Sequence, residues 1–198
     1  MNKTTYKCLR LSSLFILAVC ISVMFTACNP ASHGYTATLT TVYTPKGTAV
    51  VGAHISELTS SDYNELNKQT TENFPNAIKK REPTNNYNCH SYAWHSQSVD
   101  NTVWIGFEYE GQSYIDEKKK YWTDGSYVKI ASGSNNTVPF GTPNGSKVYY
   151  GDVADHSAIK TSDTKFTSKW GPAGLFEHSP SYCPYDSTNL DYYIYYKK

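Results

Sequence analysis

Long apolar runs, alternating stretches and turn chemistry divide the chain into segments with distinct expected structures. Residues 14–25 are almost continuously apolar and follow a leader whose only charges are Lys3, Lys7 and Arg10. Threonine and aromatic residues dominate 35–44, Pro45-Lys46-Gly47 supplies a turn, and 48–54 resumes an extended pattern, which predicts a β-hairpin. From Asp62 the positions of Tyr63, Leu66 and Phe74 predict one helical face, with Thr59, Ser60 and Ser61 as capping candidates and Pro75 as the stop. A second helix is expected to start at Cys89, behind a capping Asn88, and to fade between 97 and 100. Beyond it the pattern is β. Val103, Ile105, Phe107 and Tyr109 alternate with Trp104, Gly106 and Glu108, and 127–130, 147–150, 156–161 and 165–170 are further strand candidates. Residues 191–196 are expected to close a sheet edge. One cysteine-bearing helix against an antiparallel sheet that carries a histidine is an α+β arrangement.

The apolar run 14–25 is shorter than the roughly 20 residues that span a bilayer, so it reads as a secretory signal rather than a permanent anchor. Thr26-Ala27-Cys28 resembles the lipobox of bacterial lipoproteins, in which the cysteine becomes lipidated and forms the new amino terminus. Leu17-Ala18-Val19-Cys20 is a rival site, but Val19 is bulky for a cleavage point. The expected organisation is a signal peptide over 1–27, a lipidated tether over 28–34 and a single domain over 35–198. That implies export across the inner membrane and a lipid anchor in the bacterial cell envelope. Loss of the signal removes three positive and no negative charges and takes the formal charge from +1 to −2. No basic face for nucleic acid is implied.

Chemistry concentrates at Asn88-Cys89-His90-Ser91-Tyr92-Ala93-Trp94. A cysteine at a capped helix start sits where the dipole favours thiolate, the reactive form. His156, 67 residues later in Asp155-His156-Ser157-Ala158-Ile159, is the candidate base. The backbone N–H of Cys89 is an oxyanion donor, and Ser168 or Lys169 on the next strand would orient the imidazole, with Ser168 taken as the third catalytic residue. With Cys28 lipidated, Cys89 and Cys183 form an even pair in an oxidising compartment, so a disulfide is the alternative to a reactive thiol. No cofactor is called for. A zinc site from Cys89, His90, His156, His178 and Cys183 lacks any C-x-x-C or H-E-x-x-H spacing, so no metal is assigned.

Residues 88–93 resemble the opening of the catalytic helix in NlpC-like cysteine peptidases, with Asn88 in place of aspartate and His90 in place of serine. Lys147-Val148-Tyr149-Tyr150 resembles the strand before the histidine in that superfamily, His156-Ser157-Ala158-Ile159 its catalytic-histidine strand, and 163–168 the hairpin bearing the third residue. The resemblance covers Tyr87 to Trp170 and implies a papain-like core that hydrolyses amide bonds, most often peptidoglycan stem peptides. Tyr121-Trp122-Thr123-Asp124-Gly125-Ser126-Tyr127 and Ser168-Lys169-Trp170-Gly171 resemble phrases of a secreted branch related to this superfamily. Tyr87, Trp170 and His178 are candidate substrate-binding residues, His178 also an alternative base, while His90 and His95 read as surface or supporting residues. The run Glu117-Lys118-Lys119-Lys120 reads as a solvated loop. All but one of the 18 tyrosines lie beyond the signal, enough for core, strand surface or sugar-stacking platforms. Two functions are therefore expected in competition: a lipid-anchored cysteine hydrolase of cell-wall peptides, and a non-catalytic surface lipoprotein that binds glycan or protein.

Overall fold

The computed structural model describes residues 35–185 and 191–198. The signal, the tether and Cys28 lie outside the described residues. No helix among those described is long and apolar enough to cross a membrane.

The expected hairpin forms as β1 (Ala37–Tyr43) and β2 (Ala49–Ile55), paired antiparallel from Ala37 opposite Ile55 to Tyr43 opposite Ala49. Gly47, at φ +85°, donates its N–H to the Thr44 carbonyl and closes the turn, a conformation glycine adopts without strain. The expected helix also forms, as α1 (Ser60–Asn73). Thr59 caps it by accepting the Asp62 N–H at 3.1 Å, an interaction worth about 1 kcal/mol. Pro75 follows its end.

Seven antiparallel strands build the central sheet, in the order β3-β11-β10-β9-β8-β12-β7. In chain order these are β3 (Ile78–Arg81), β7 (Tyr127–Ser134), β8 (Lys147–Tyr149), β9 (Ser157–Lys160), β10 (Phe166–Lys169), β11 (Leu175–His178) and β12 (Asp191–Lys197). The hairpin β1–β2 pairs instead with β4 (Trp104–Ile105) in a three-stranded sheet, and β5 (Glu108–Tyr109) with β6 (Gln112–Ser113) makes a small ribbon. Three core clusters result. Leu66 of α1 joins Val148, Ala158, Phe166, Trp170, Phe176, Tyr192 and Ile194 on one face of the large sheet. Tyr92 and Trp94 join Tyr149, Ile159, Leu175 and Tyr195 on the other. Cys89 packs with Ala53, Ile55, Trp104 and Phe107 beneath the small sheet.

The α+β, papain-like expectation is overturned: the protein is mostly β, and no catalytic helix lies on the sheet. The helix expected after Asn88 does begin at Cys89, with the Tyr92 N–H on the Asn88 carbonyl at 2.9 Å, but it runs only into a π-helical turn, Ser91–His95, closed by the Ser96 N–H on the Ser91 carbonyl at 3.0 Å. Serine chemistry stops it. Ser96 Oγ takes the Ser98 N–H and Ser98 Oγ takes the Asp100 N–H, so side chains claim backbone donors that a longer helix needs.

Other expectations change for equally local reasons. The alternation over 103–109 does not yield one strand, because Gly106 turns the chain at φ +72° and separates β4 from β5. Strand β12 is interior, bonded on both sides, rather than an edge. Its tyrosines and Ile194 are apolar on both faces, the pattern of a strand covered twice. The run 117–120 is no solvated loop either. It belongs to a 3₁₀ turn, Ile115–Lys119, leading into α2 (Lys120–Thr123), and Lys118 is fully buried.

Gly106 is the most constrained of these turns. A Cβ there would lie 3.0 Å from His90 Cδ2 and 3.3 Å from the Ile115 carbonyl oxygen, on top of the left-handed strain. Gly106→Ala is expected to lower unfolding free energy by about 2 kcal/mol or more. Gly141→Ala, at φ +79° with open space around it, should lose about 1 kcal/mol. Urea midpoints measure both, and equal losses would contradict the crowding.

Candidate functional site

Asn88 fastens the π-helical turn to the small sheet. Its Oδ1 accepts the Ser91 N–H at 3.0 Å and the Ile105 N–H at 3.3 Å, and its Nδ2 donates to the Ile105 carbonyl at 2.7 Å. The cap expected from sequence is therefore present, and it is also a tertiary clamp. The next side chain, Cys89, is fully buried in the third core cluster. Cys183 is buried in the first, and no disulfide joins the two.

Strand β9 then decides which groups meet. Successive strand side chains point to opposite faces. Ser157 points to the π-helical turn, where its Oγ accepts the Trp94 indole N–H at 2.9 Å and is hydrogen-bonded to His90 Nδ1 at 2.9 Å. His90 Nε2 faces Asp155 Oδ1 at 3.4 Å, and Lys118 Nζ reaches the same oxygen at 2.6 Å. Burial works to raise the Asp155 carboxyl, but His90 and Lys118 outweigh it and hold the group well below the usual carboxylate range. Asp155 sits at φ +40°, a left-handed conformation that the bulk of a non-glycine residue makes costly.

The opposite face carries the same device. Ser168 Oγ accepts the Trp170 indole N–H at 3.0 Å and donates to His178 Nε2 at 2.7 Å, while His178 Nδ1 donates to the Ser179 carbonyl at 2.8 Å. His178 is neutral: burial, aided by Lys165 and opposed by the bond to Ser179, pushes its pKa down to about 4.

His156 precedes Ser157 and points away from the π-helical turn. Its ring stacks on Tyr185 at 3.8 Å and lies 5.2 Å from Tyr150, both of the first cluster. Neither ring nitrogen has a hydrogen-bond partner among the described residues. Burial first, then His178 and His90, hold its pKa well below the ordinary 6.5, with Asp155 in weak opposition. Among the three expected catalytic residues, then, Cys89 packs on the small-sheet side, His156 packs on the α1 side, and Ser168 shares the latter side but bonds His178.

The expected substrate-binding residues are interior. Tyr87 accepts a hydrogen bond from Arg81 Nη1 and packs under Lys169 Nζ, and Trp170 stacks on Phe176 at 4.2 Å. The cysteines and histidines of the zinc set divide between the two sides, and no metal-holding group of three or more His, Cys, Asp or Glu occurs among the described residues. Sequence reading missed Ser157, Asp155 and Lys118, and read His90 as peripheral. Ser168 in β10 and Trp170 just beyond it, two apart in an extended stretch, did carry a signal, since such neighbours share a face. Trp94 and Ser157 meet only through the tertiary fold.

A family model, described as a domain of unknown function (DUF7689), matches residues 78–192. The chain belongs to that family. Both Trp–Ser–His relays, the Asn88 clamp and Lys118 lie inside the DUF7689 span, whereas β1, β2 and α1 precede it. No curated protein and no solved structure matches the chain.

Two neutral buried imidazoles in the DUF7689 span set a pH dependence. Their folded pKa values lie below the unfolded 6.5, so their contribution to stability is complete above that value. As pH falls, the unfolded chain binds protons that the folded chain refuses. Unfolding free energy should drop below pH 6.5 by about 1.4 kcal/mol per pH unit for each histidine, with the His178 share levelling off near pH 4. His156→Phe keeps an aromatic face against Tyr185 and should roughly halve the slope. Urea titrations between pH 7 and 4.5 measure it, and a flat wild-type profile would contradict the burial of neutral rings.

Proposed function

We propose that this chain is a non-catalytic glycan-binding protein of the cell envelope, held at a membrane by lipid on Cys28. The observation that carries this reading, in preference to hydrolysis by Cys89 and His156, is that both side chains are fully buried and pack in different places, Cys89 beneath the small sheet and His156 against Tyr150 and Tyr185 of the first cluster. A Cys/His hydrolase needs thiol and imidazole in contact beside a solvent-reached substrate. His156 is instead a neutral ring sandwiched among tyrosines. The aromatic content supports the binding side. Trp122, Tyr127 and Tyr193 pack against the second cluster while remaining partly exposed, and half-wet aromatic rings stack on the C–H faces of sugars.

Co-sedimentation with purified cell-wall sacculi tests the reading. Wild type and Cys89→Ala are expected to pellet equally with the sacculi and to release no new amino groups. Release by wild type that Cys89→Ala abolishes would restore the hydrolase, and failure of the wild type to pellet would remove glycan binding. In cells, Cys28→Ala is expected to move the protein from the detergent phase to the aqueous phase of a Triton X-114 partition.

A further inference from the structure

We infer that the β7 end of the central sheet is a membrane contact of its own, an exposed apolar tip with a basic fringe that docks on an anionic lipid bilayer. The inference stands apart from glycan binding and needs no lipid on Cys28.

Connectivity builds the tip. Strands β7 and β8 lie on either side of β12 and both run antiparallel to it, so residues 135–146 must cross β12 to join them. They cross on the face of the first core cluster, where Val138 packs and the Tyr192 hydroxyl donates to the Thr137 carbonyl. The crossing ends beside β9, with the Gly145 N–H on the Lys160 carbonyl at 2.8 Å. Two turns of one design carry it. The Thr142 N–H meets the Pro139 carbonyl at 3.4 Å with Gly141 at φ +79°, and the Ser146 N–H meets the Pro143 carbonyl at 3.3 Å with Gly145 at φ +85°. A left-handed third residue is what a type II turn requires. The Thr142 hydroxyl braces the first turn by donating to the Pro139 carbonyl at 2.8 Å. Phe140, its second residue, is fully exposed.

Register brings further apolar side chains to the same face. Tyr196 stands directly opposite Val128, and it follows buried Tyr192 and Ile194 at even spacing along β12, so both side chains lie on the face that the crossing covers. Ile130, two residues from Val128, sits at the bulge of β7 and is exposed with them. Strand β7 is the last of the sheet, so this apolar group is at its rim. Charge then selects the partner. No Asp or Glu occurs from Gly125 to Gly151. Lys129 lies between Val128 and Ile130, Lys197 and Lys198 follow Tyr196, and all three are exposed and pair with no acid among the described residues. Asp163 is answered by Lys160 at 2.9 Å, and Asp191 stands opposite Ser134, at the other end of β7 from Val128. A braced phenyl ring on a charge-free crossing can enter the acyl boundary without desolvating an ion, while lysine stems reach outward to anionic headgroups.

Flotation with extruded vesicles tests the contact on the mature chain from residue 28, carrying Cys28→Ala so that no lipid anchor contributes. Vesicles of phosphatidylcholine alone are compared with vesicles containing about one-third phosphatidylglycerol. The parent protein is expected to bind the anionic vesicles about tenfold more tightly than the neutral ones, a preference that shrinks at high salt. Phe140→Asp should weaken binding to the anionic vesicles about tenfold or more, and Lys197→Ala about fivefold. Both positions are exposed, so urea midpoints should stay at the parent value. Phe140→Trp should bind as the parent does, with its added fluorescence quenched by lipids brominated on the acyl chains. A parent that ignores anionic vesicles, or a Phe140→Asp variant that binds them equally well, would overturn the membrane contact while pelleting with lipid-free sacculi stands. Self-association that Phe140→Asp abolishes, without vesicle binding, would overturn it in favour of a second copy of the chain.

Discussion

The alternation of side chains along β9 is the constraint on which the arrangement depends. Ser157 faces the π-helical turn and His156 faces α1, because neighbouring residues on a strand cannot point the same way. On the turn side, Ser157 receives the Trp94 N–H and hydrogen-bonds His90, which leads to Asp155 and Lys118. An unpaired buried donor or acceptor costs about 1–3 kcal/mol. Removing the Ser157 hydroxyl would orphan two, so the relay holds the turn to the sheet by what its loss would cost. On the other face, Ser168 bonds Trp170 and His178 within the sheet itself. The two relays lie on opposite faces: the one at Ser157 ties the π-helical turn to β9, and the one at Ser168 links β10 to β11.

That construction has a functional consequence. A thiol beside a capped helix start becomes a nucleophile when an imidazole reaches it and solvent reaches both. Here the residues around Cys89 serve to pack a junction: Asn88 joins the turn to β4, and Cys89 fills space between the small sheet and Phe107. Lys118 is buried because Asp155 neutralises it, and Asp155 accepts a left-handed backbone to reach Lys118 and His90 together. Titratable groups in this region are therefore consumed by one another. Among the described residues, Lys129 and Lys147 meet aromatic rings instead of acids.

Much of the local structure was legible in the sequence because its causes are local. Pro45-Lys46-Gly47 and Thr59 mark the hairpin turn and the helix start, and beyond the hairpin five of the expected strands appear within a few residues of their expected bounds. Asn88 marks a helical start as well, but a cap says nothing about length, and the serines at 96 and 98 end the turn almost at once. The α+β expectation failed on that point. What remained hidden depends on parity and on distant partners. Shifting the face of β9 by one residue exchanges His156 for Ser157 opposite the turn, and no motif fixes that choice. Lys118 looks solvated in a charged run until Asp155, 37 residues on, is brought against it.

The protonation state of the histidine rings separates a structural relay from a thiolate–imidazolium pair most directly. Long-range ¹H–¹⁵N correlation spectra of ¹⁵N-histidine-labelled protein at pH 7, with His156 assigned by its substitution, read it. The account predicts a neutral His156 and a neutral His178 protonated at Nδ1. A His156 with both nitrogens at imidazolium shifts, reverting to neutral when Cys89 is replaced by alanine, would contradict it.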